Sequence, residues 1–406
     1  MEKTKTEQVV LFEQVWGMVN NHFYDSNFNG VNWNKTFHEY KVKIENCKNT
    51  DTLFYLLNRM LFKLNSSHCG VGLVSKLKDV VSPYIFKSGE IGIDIRIIEN
   101  QIIVTKVLKN SSAEKAKIKT GFVVKKINNL TLDEIEEFVE YKPPFNSRNS
   151  KFHLTSEVLR RIYGEPNTSI KIDFLDRNAN LYSETLIRTE RKNGFSLAKG
   201  MPLAFLETKS CFFADDIAYL ALNAFSLANS EIVLNNLRKV RNSKGLIIDL
   251  RGNDGGSIDA MKLLLGNFVS KNRKYGVFIN RAENNEDFIK PSKPAYKGEV
   301  VVLVDEMSIS GAENMAGIIQ QLRIGTVIGN RTPGQLLWGR GYLINDSVAL
   351  AIPIYKLEYL NGYNPENNGI IPDIEIGLNI VDLLKGKDSQ LEKALEYLKE
   401  KIKINK

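Results

Sequence analysis

The run Gly245-Leu-Ile-Ile-Asp-Leu250 constrains this chain more than any other segment. It lacks a regular alternation of apolar and polar residues, so a strand built from it must be buried on both faces. The residues after it, Arg251-Gly-Asn-Asp-Gly-Gly256, form a glycine-bearing turn, and a helical pattern follows. The same order recurs at Glu299–Val304, where an apolar strand leads through Ser308 and Ser310 into a helix over Gly311–Leu322. Ile217–Leu222 and Thr326–Gly329 read as further strands and Ser230–Val240 as a helix, while Ser347–Ile352 is expected to continue the sheet. Strands separated by helices predict an α/β layered core with parallel pairing over residues 194–406.

Two other regions precede that core. Residues 1–70 read as a helical region, with Phe12, Trp16, Val19 and Phe23 at helical spacing and Asn49-Thr50-Asp51 opening a third helix by N-cap chemistry. Residues 71–193 carry short β-branched runs at Gly92–Ile98, Ile102–Val107, Phe122–Ile127 and Ser169–Phe174, with a short helix at Ser111–Ile118 between two of them. This order, closing on Gly121 and Ile127-Asn-Asn, resembles a PDZ domain, although Lys117 and Asn129 stand where that module commonly has glycine. Such a module holds a peptide carboxylate in backbone amides, which implies Ile91, Gly92 and Ile93 as its substrate-binding loop. Tyr141–Gly164 reads as an insertion with one helix.

Composition excludes more than it identifies. The chain has 406 residues, 43% hydrophobic and 25% charged, with a net charge of +8 that is scattered apart from a lysine-rich tail. No basic stripe interleaved with aromatics points to nucleic acid. Three cysteines, Cys47, Cys69 and Cys211, supply no disulfide framework. No apolar run reaches the length of a membrane span, so no stable membrane insertion is expected. The N-terminal residues lack the apolar stretch of a signal peptide, which predicts a cytoplasmic protein or one whose leader has been removed. No metal or cofactor is expected, and the oligomeric state is left open.

Chemistry concentrates at four places. Ser310 lies between a buried strand and a helix N-terminus, where amides and the helix dipole favour an oxyanion; capping the helix is its structural alternative. Gly255-Gly256 at another strand end exposes amide donors, and a tight connection is the alternative. The same Gly-Gly chemistry also suits an acyl-CoA enzyme, but no nucleotide site is evident. His68, in Ser66-Ser67-His68-Cys69-Gly70, sits on a small-residue loop, unlike His22 and His38 on helices and His153 in the insertion. Cys69 adjoins His68, and adjacent side chains rarely meet as a nucleophile and its base. Glu366, in Pro365-Glu-Asn-Asn-Gly-Ile-Ile-Pro-Asp373, reads on its own as an exposed loop carboxylate.

Together these segments resemble the S41 serine peptidases. Phe23-Tyr-Asp-x-x-Phe-x-Gly-Val-x-Trp33, Asp249-Leu-Arg-Gly-Asn-Asp-Gly-Gly256, Ser310-Gly-Ala-Glu313, Gly369-Ile-Ile-Pro-Asp373 and Gly386–Ala394 carry the likeness. It implies a ClpP/crotonase-like layered core and hydrolysis of peptides or unfolded proteins. One branch of the family uses a serine–lysine dyad, and Gln335 occupies the corresponding stretch here. An amide accepts no proton, so the likeness is to the histidine-dependent, tricorn-like branch. By that resemblance Ser310 is the nucleophile, His68 the base, Glu366 its charged support and Ser67 the relay, with Ser66 as the neighbouring candidate. Gly311 and either Gly255 or Gly256 are implied as oxyanion donors. Glu366 is expected to raise the His68 pKa, placing an acidic limb of kcat/KM at roughly pH 6–7.5. The alternative is a peptide-binding protein with an inactive core.

Overall fold

The computed structural model describes residues 7–76, 83–192, 194–196, 203–292 and 294–404. The first six residues, the expected domain boundary at residue 193, and the last two residues of the lysine-rich tail lie outside them.

Three helices open the chain: α1 (Glu7–His22), α2 (Trp33–Glu45) and α3 (Thr50–Phe62). The expected N-cap of α3 is formed by Asn49, whose side chain accepts from the Thr52 amide at 2.8 Å. Phe12, Val15, Val19 and Phe23 are buried with Leu57, Met60 and Leu61. Trp16 is half-buried and stacks on Trp33. Truncating Phe12 to alanine would cost about 3–5 kcal/mol. Strand β1 (Gly70–Leu73) follows, so the expected boundary between residues 70 and 71 falls inside a strand.

A five-stranded antiparallel sheet comes next. Its order is β2 (Ile93–Ile98), β3 (Gln101–Val107), β4 (Val123–Ile127), β5 (Ser169–Leu175), β6 (Leu181–Ile187). Ile170, Ile172 and Phe174 of β5 face the core while Ser169, Lys171 and Asp173 do not, the period-two pattern of a sheet with one buried face. Helix α4 (Ser147–Ile162), from the expected insertion, buries Val158, Leu159 and Ile162 against it.

The remaining chain builds a six-stranded sheet in the order β7 (Thr208–Phe213), β8 (Ile217–Leu222), β9 (Gly245–Asp249), β12 (Glu299–Val304), β13 (Thr326–Gly329), β16 (Ile374–Glu375). Its first pair is antiparallel and the others are parallel. Leu246 and Ile248 of β9 face helices α5 (Ser230–Val240), α6 (Ile258–Leu265) and α7 (Gly311–Gln321). Ile247 faces the other way, with Val301, Leu303 and Ile328, onto Ala394, Leu398 and Ile402 of α8 (Ser389–Ile404). Cover on both faces explains the continuous apolar runs.

The residues expected to continue this sheet at Ser347–Ile352 do not. They fall in a third sheet, made of β10 (Arg273–Ile279), β11 (Asn284–Ile289), β14 (Trp338–Asn345) and the long β15 (Val348–Tyr359), which β1 also joins. A two-residue connection folds β14 back antiparallel onto β15, an arrangement that a parallel crossover cannot produce. Val348, Leu350 and Ile352 of β15 bury against α1–α3, so the helical region is docked on strands from the far end of the chain.

Candidate active site

The loops leaving the carboxyl ends of β9, β12 and β13 meet the loop between α3 and β1. The β12–α7 loop carries Ser310 at φ 55° and ψ −114°, a backbone state that non-glycine residues rarely hold without surrounding support. Asp305 provides part of that support. It is 2% exposed and accepts from the Gly252 and Met307 amides, both at 3.0 Å. Ser308 donates to the Leu250 carbonyl at 2.7 Å, so this serine ties two loops together. Arg96 of β2 donates to Asp305 at 2.7 Å and bridges the five-stranded sheet to the loop.

Ser310 Oγ lies 3.2 Å from His68 Nε2. The other ring nitrogen, Nδ1, is 2.9 Å from Ser67 Oγ, which donates to Glu366 Oε2 at 3.1 Å. Glu366 Oε1 accepts from the Ser67 amide at 3.0 Å, and Oε2 from the Leu336 and Leu337 amides at 2.8 and 3.2 Å. An ionised carboxylate only accepts, so the Ser67 hydroxyl points to Glu366 and is left to accept from Nδ1–H; Nε2 then faces Ser310 unprotonated. The geometry separates the two serines: Ser66 Oγ accepts from Asn29 Nδ2 at 2.8 Å and touches neither His68 nor Glu366 by a hydrogen bond. Glu366 is 6% exposed, unlike the exposed loop carboxylate its sequence context suggests.

Electrostatics here is governed by burial. It pushes the His68 imidazole down to about 4, although one edge of the residue stays accessible. It pushes the Glu366 carboxyl up to about 7 against the hydrogen bonds from Ser67, Leu336 and Leu337. The expectation that Glu366 raises the His68 pKa is therefore reversed: the carboxylate reaches the ring only through Ser67, and desolvation of the imidazole dominates. The Cys69 thiol is buried and pushed up to about 12, which keeps it protonated and inert.

The glycines are held by contact. A Cβ on Gly255 would lie 2.6 Å from Gly311 N and from Ser310 Cβ. Gly256 has φ 121°, and its Cβ would lie 2.1 Å from the Phe225 carbonyl oxygen. The Gly255 amide donates to Asn253 Oδ1 at 2.8 Å. The amides of Gly256 and Gly311 make no hydrogen bond to a described residue. The Gln335 side chain donates to Asn149 of α4 at 2.5 Å. His22, His38 and His153 make ring contacts elsewhere. In the proposed peptide-end loop, Ile91 and Ile93 are buried; Gly92 has φ 83° and its carbonyl accepts from Leu108 N at 2.8 Å. Among the described residues no cluster of His, Cys, Asp and Glu is arranged to hold a metal ion, and no helix is long and apolar enough to cross a membrane.

Several contributors carried no sequence signal. The Leu336 and Leu337 donors are backbone groups, which any residue type supplies. Asp305 did leave a trace, as a charged residue at the end of a wholly apolar strand.

Comparison with known proteins finds likenesses to peptidases. The model of peptidase family S41 matches residues 216–376, and that of the tricorn protease C1 domain matches residues 4–62. Carboxy-terminal processing protease CtpB of Bacillus subtilis is 26% identical over 328 residues, covering 75% of this chain and 61% of that protein. The carboxyl-terminal-processing protease of Synechocystis is 22% identical, covering 97% of this chain and 87% of its own length. Tricorn protease of Thermoplasma acidophilum is 21% identical across 98% of this chain, which spans 35% of that protein. The chain thus spans less than two thirds of the first and about a third of the last. Among solved structures, the photosystem II D1 C-terminal processing protease superposes with a TM-score of 0.60 at 17% identity, over 97% of this chain and 98% of its own. Mature CPAF gives 0.63 at 11% identity, over 98% and 96%. The structural likeness is one of fold, a mixed helix-and-sheet architecture with an N-terminal helical region. Residues 216–376 thus carry the likeness to peptidase family S41, and the relatives that align along nearly the whole chain are a carboxyl-terminal-processing protease and tricorn protease.

Proposed function

We propose that the chain is a serine endopeptidase in which Ser310 attacks the peptide carbonyl and His68 accepts its proton. The observation that carries this reading is the unbroken line of hydrogen bonds from Ser310 through His68 and Ser67 to Glu366. As Ser310 Oγ bonds to the carbonyl carbon, its proton passes to Nε2, and the imidazolium is stabilised through Ser67 by the Glu366 charge. The oxyanion is received by the Gly311 and Gly256 amides, since that of Gly255 is engaged by Asn253. His68 returns the proton to the leaving amine. A water, deprotonated by the same ring, then releases the acyl group as a carboxylic acid.

The finer architecture belongs to the same reading. The six-stranded sheet between helical layers supports a ClpP/crotonase-like core over residues 194–406, below a helical region over residues 1–70. Residues 71–193 are read as a PDZ-like module whose Ile91–Ile93 backbone takes the free C-terminus of a peptide or unfolded protein. The names of the relatives, as carboxyl-terminal processing proteases, support that substrate class.

The test joins labelling with product analysis. A fluorophosphonate should label Ser310 in the wild type, and mass spectrometry should find peptides cleaved by it that Ser310→Ala leaves intact. Absence of labelling together with absence of cleavage would overturn the peptidase reading in favour of a peptide-binding protein.

A further inference from the structure

The segment Thr332–Leu337 gives its polar groups to two buried carboxylates. Glu313, beneath Ser310, accepts from the Thr332 hydroxyl and from the Gly334 and Gln335 amides at 2.8 and 2.9 Å. It also accepts from the Ser310 amide at 3.1 Å. The next two amides, of Leu336 and Leu337, go to Glu366. A slip of this backbone would disturb the supports of Ser310 and of Ser67 together.

Helix α4 holds the segment from outside. Asn146 Nδ2 donates to the Pro333 carbonyl at 3.3 Å, and Arg148 Nε to that of Thr332 at 3.2 Å. Arg148 also donates to the Asn367 and Asn368 carbonyls, just after Glu366. The one side-chain-to-side-chain tie in this set is Gln335 to Asn149. Asn149 is 1% exposed, and its Nδ2 donates to the Lys142 and Pro144 carbonyls at 2.7 and 2.8 Å. Those bonds fix the orientation of its amide and aim Oδ1 at Gln335 Nε2.

We propose that Gln335 is a positioning residue: pinned by Asn149, it sets the backbone that presents the Leu336 and Leu337 amides to Glu366. This rests on the peptidase reading above. Gln335 touches no reacting atom. It acts through the carboxylate that supports His68.

A role of this kind predicts a particular kinetic change. Gln335→Ala should lower kcat by roughly 10- to 100-fold with KM within about twofold, because misplacement rather than binding is affected. Glu366 would lose amide donors that favour its charged form, so the acidic limb of kcat/KM should move up by about one pH unit. The other titratable groups near Glu366 are His68, Tyr24 and Glu313, and Arg148 and Arg331 lie against the carbonyls that follow it. His153, next to Asn149, is pushed by burial down to about 3 and stays neutral through that window. Asn149→Ala should reproduce the change, and the double variant should be no worse than either single one. Gln335→Met keeps the length and apolar packing without the hydrogen bond, and should behave as Gln335→Ala while melting within a few degrees of the wild type. Full kcat and an unmoved limb in Gln335→Met, or additive losses in the double variant, would overturn the proposal. If the wild type itself lacks labelling at Ser310, the peptidase reading fails first, and that result is separate from any effect of Gln335.

Discussion

His68 and Glu366 are moved in opposite directions by the same cause. Burial disfavours charge, which lowers a base and raises an acid. With the imidazole at about 4, His68 is neutral through the physiological range, and burial brings two carboxyls, Glu366 and Glu313, up to about 7. Under the proposed mechanism kcat/KM falls as pH drops through about 7, because protonated Glu366 no longer supports an imidazolium. Glu366→Gln should keep weak activity and flatten that limb between about pH 5 and 8. A limb that persists in the variant would belong to Glu313, which accepts from the Ser310 amide, or to His68. Gly256→Ala should be more severe, since the new Cβ meets the Phe225 carbonyl at 2.1 Å and the loop has to shift. Losing one oxyanion donor lowers kcat by about 10²–10³-fold, which single-turnover kinetics would measure. Ser310 and His68 stood out in the sequence by their local context, Ser67 and Glu366 only through the resemblance to S41 peptidases, and the structure brings these four side chains together. The direction of the His68 shift was not legible in the sequence, because desolvation depends on what packs over the ring.

The elements differ in how openly their sequences announce them. Gly245–Asp249 and Glu299–Val304 are legible because burial on both faces removes polar residues from them. Trp338–Asn345 is not, because it holds two glycines and its outward face is exposed; register with Val348–Tyr359 makes it a strand. Asn284–Ile289 is similarly obscured by four polar residues out of six. The join between the five-stranded sheet and the core was also hidden, since a buried arginine and a buried aspartate 209 positions apart carry no shared pattern. Asp305→Ala would remove the buried carboxylate that Arg96 Nε meets and strip acceptors from the Gly252 and Met307 amides. It should destabilise the fold by about 3–5 kcal/mol in urea unfolding. Arg96→Met with Asp305→Leu should recover part of that loss, because the charges are removed together. A single Asp305→Ala variant as stable as the wild type would show that the pair holds nothing in place.

At the scale of the whole molecule, α1–α3, the five-stranded sheet and the six-stranded core all reach the same loops. Arg251, beside the glycine turn, donates to Asp249 and to Asp388 and Gln390 at the start of α8, so the last helix is fastened to the active-site side of the sheet. If residues 71–193 take a free C-terminus, amidating that end of a substrate should raise KM about tenfold or more with little change in kcat. Equal KM values for acid and amide peptides would make the region a spacer. The separation of Ser67 from Glu366 by 299 positions also has a meaning in time. A ribosome makes the histidine early, the proposed nucleophile much later and the supporting carboxylate later still. During most of its own synthesis the chain therefore carries a base with nothing to activate. Under the proposed mechanism a growing chain lacks the full set of supporting groups until translation has passed Glu366, a delay that follows from residue order alone.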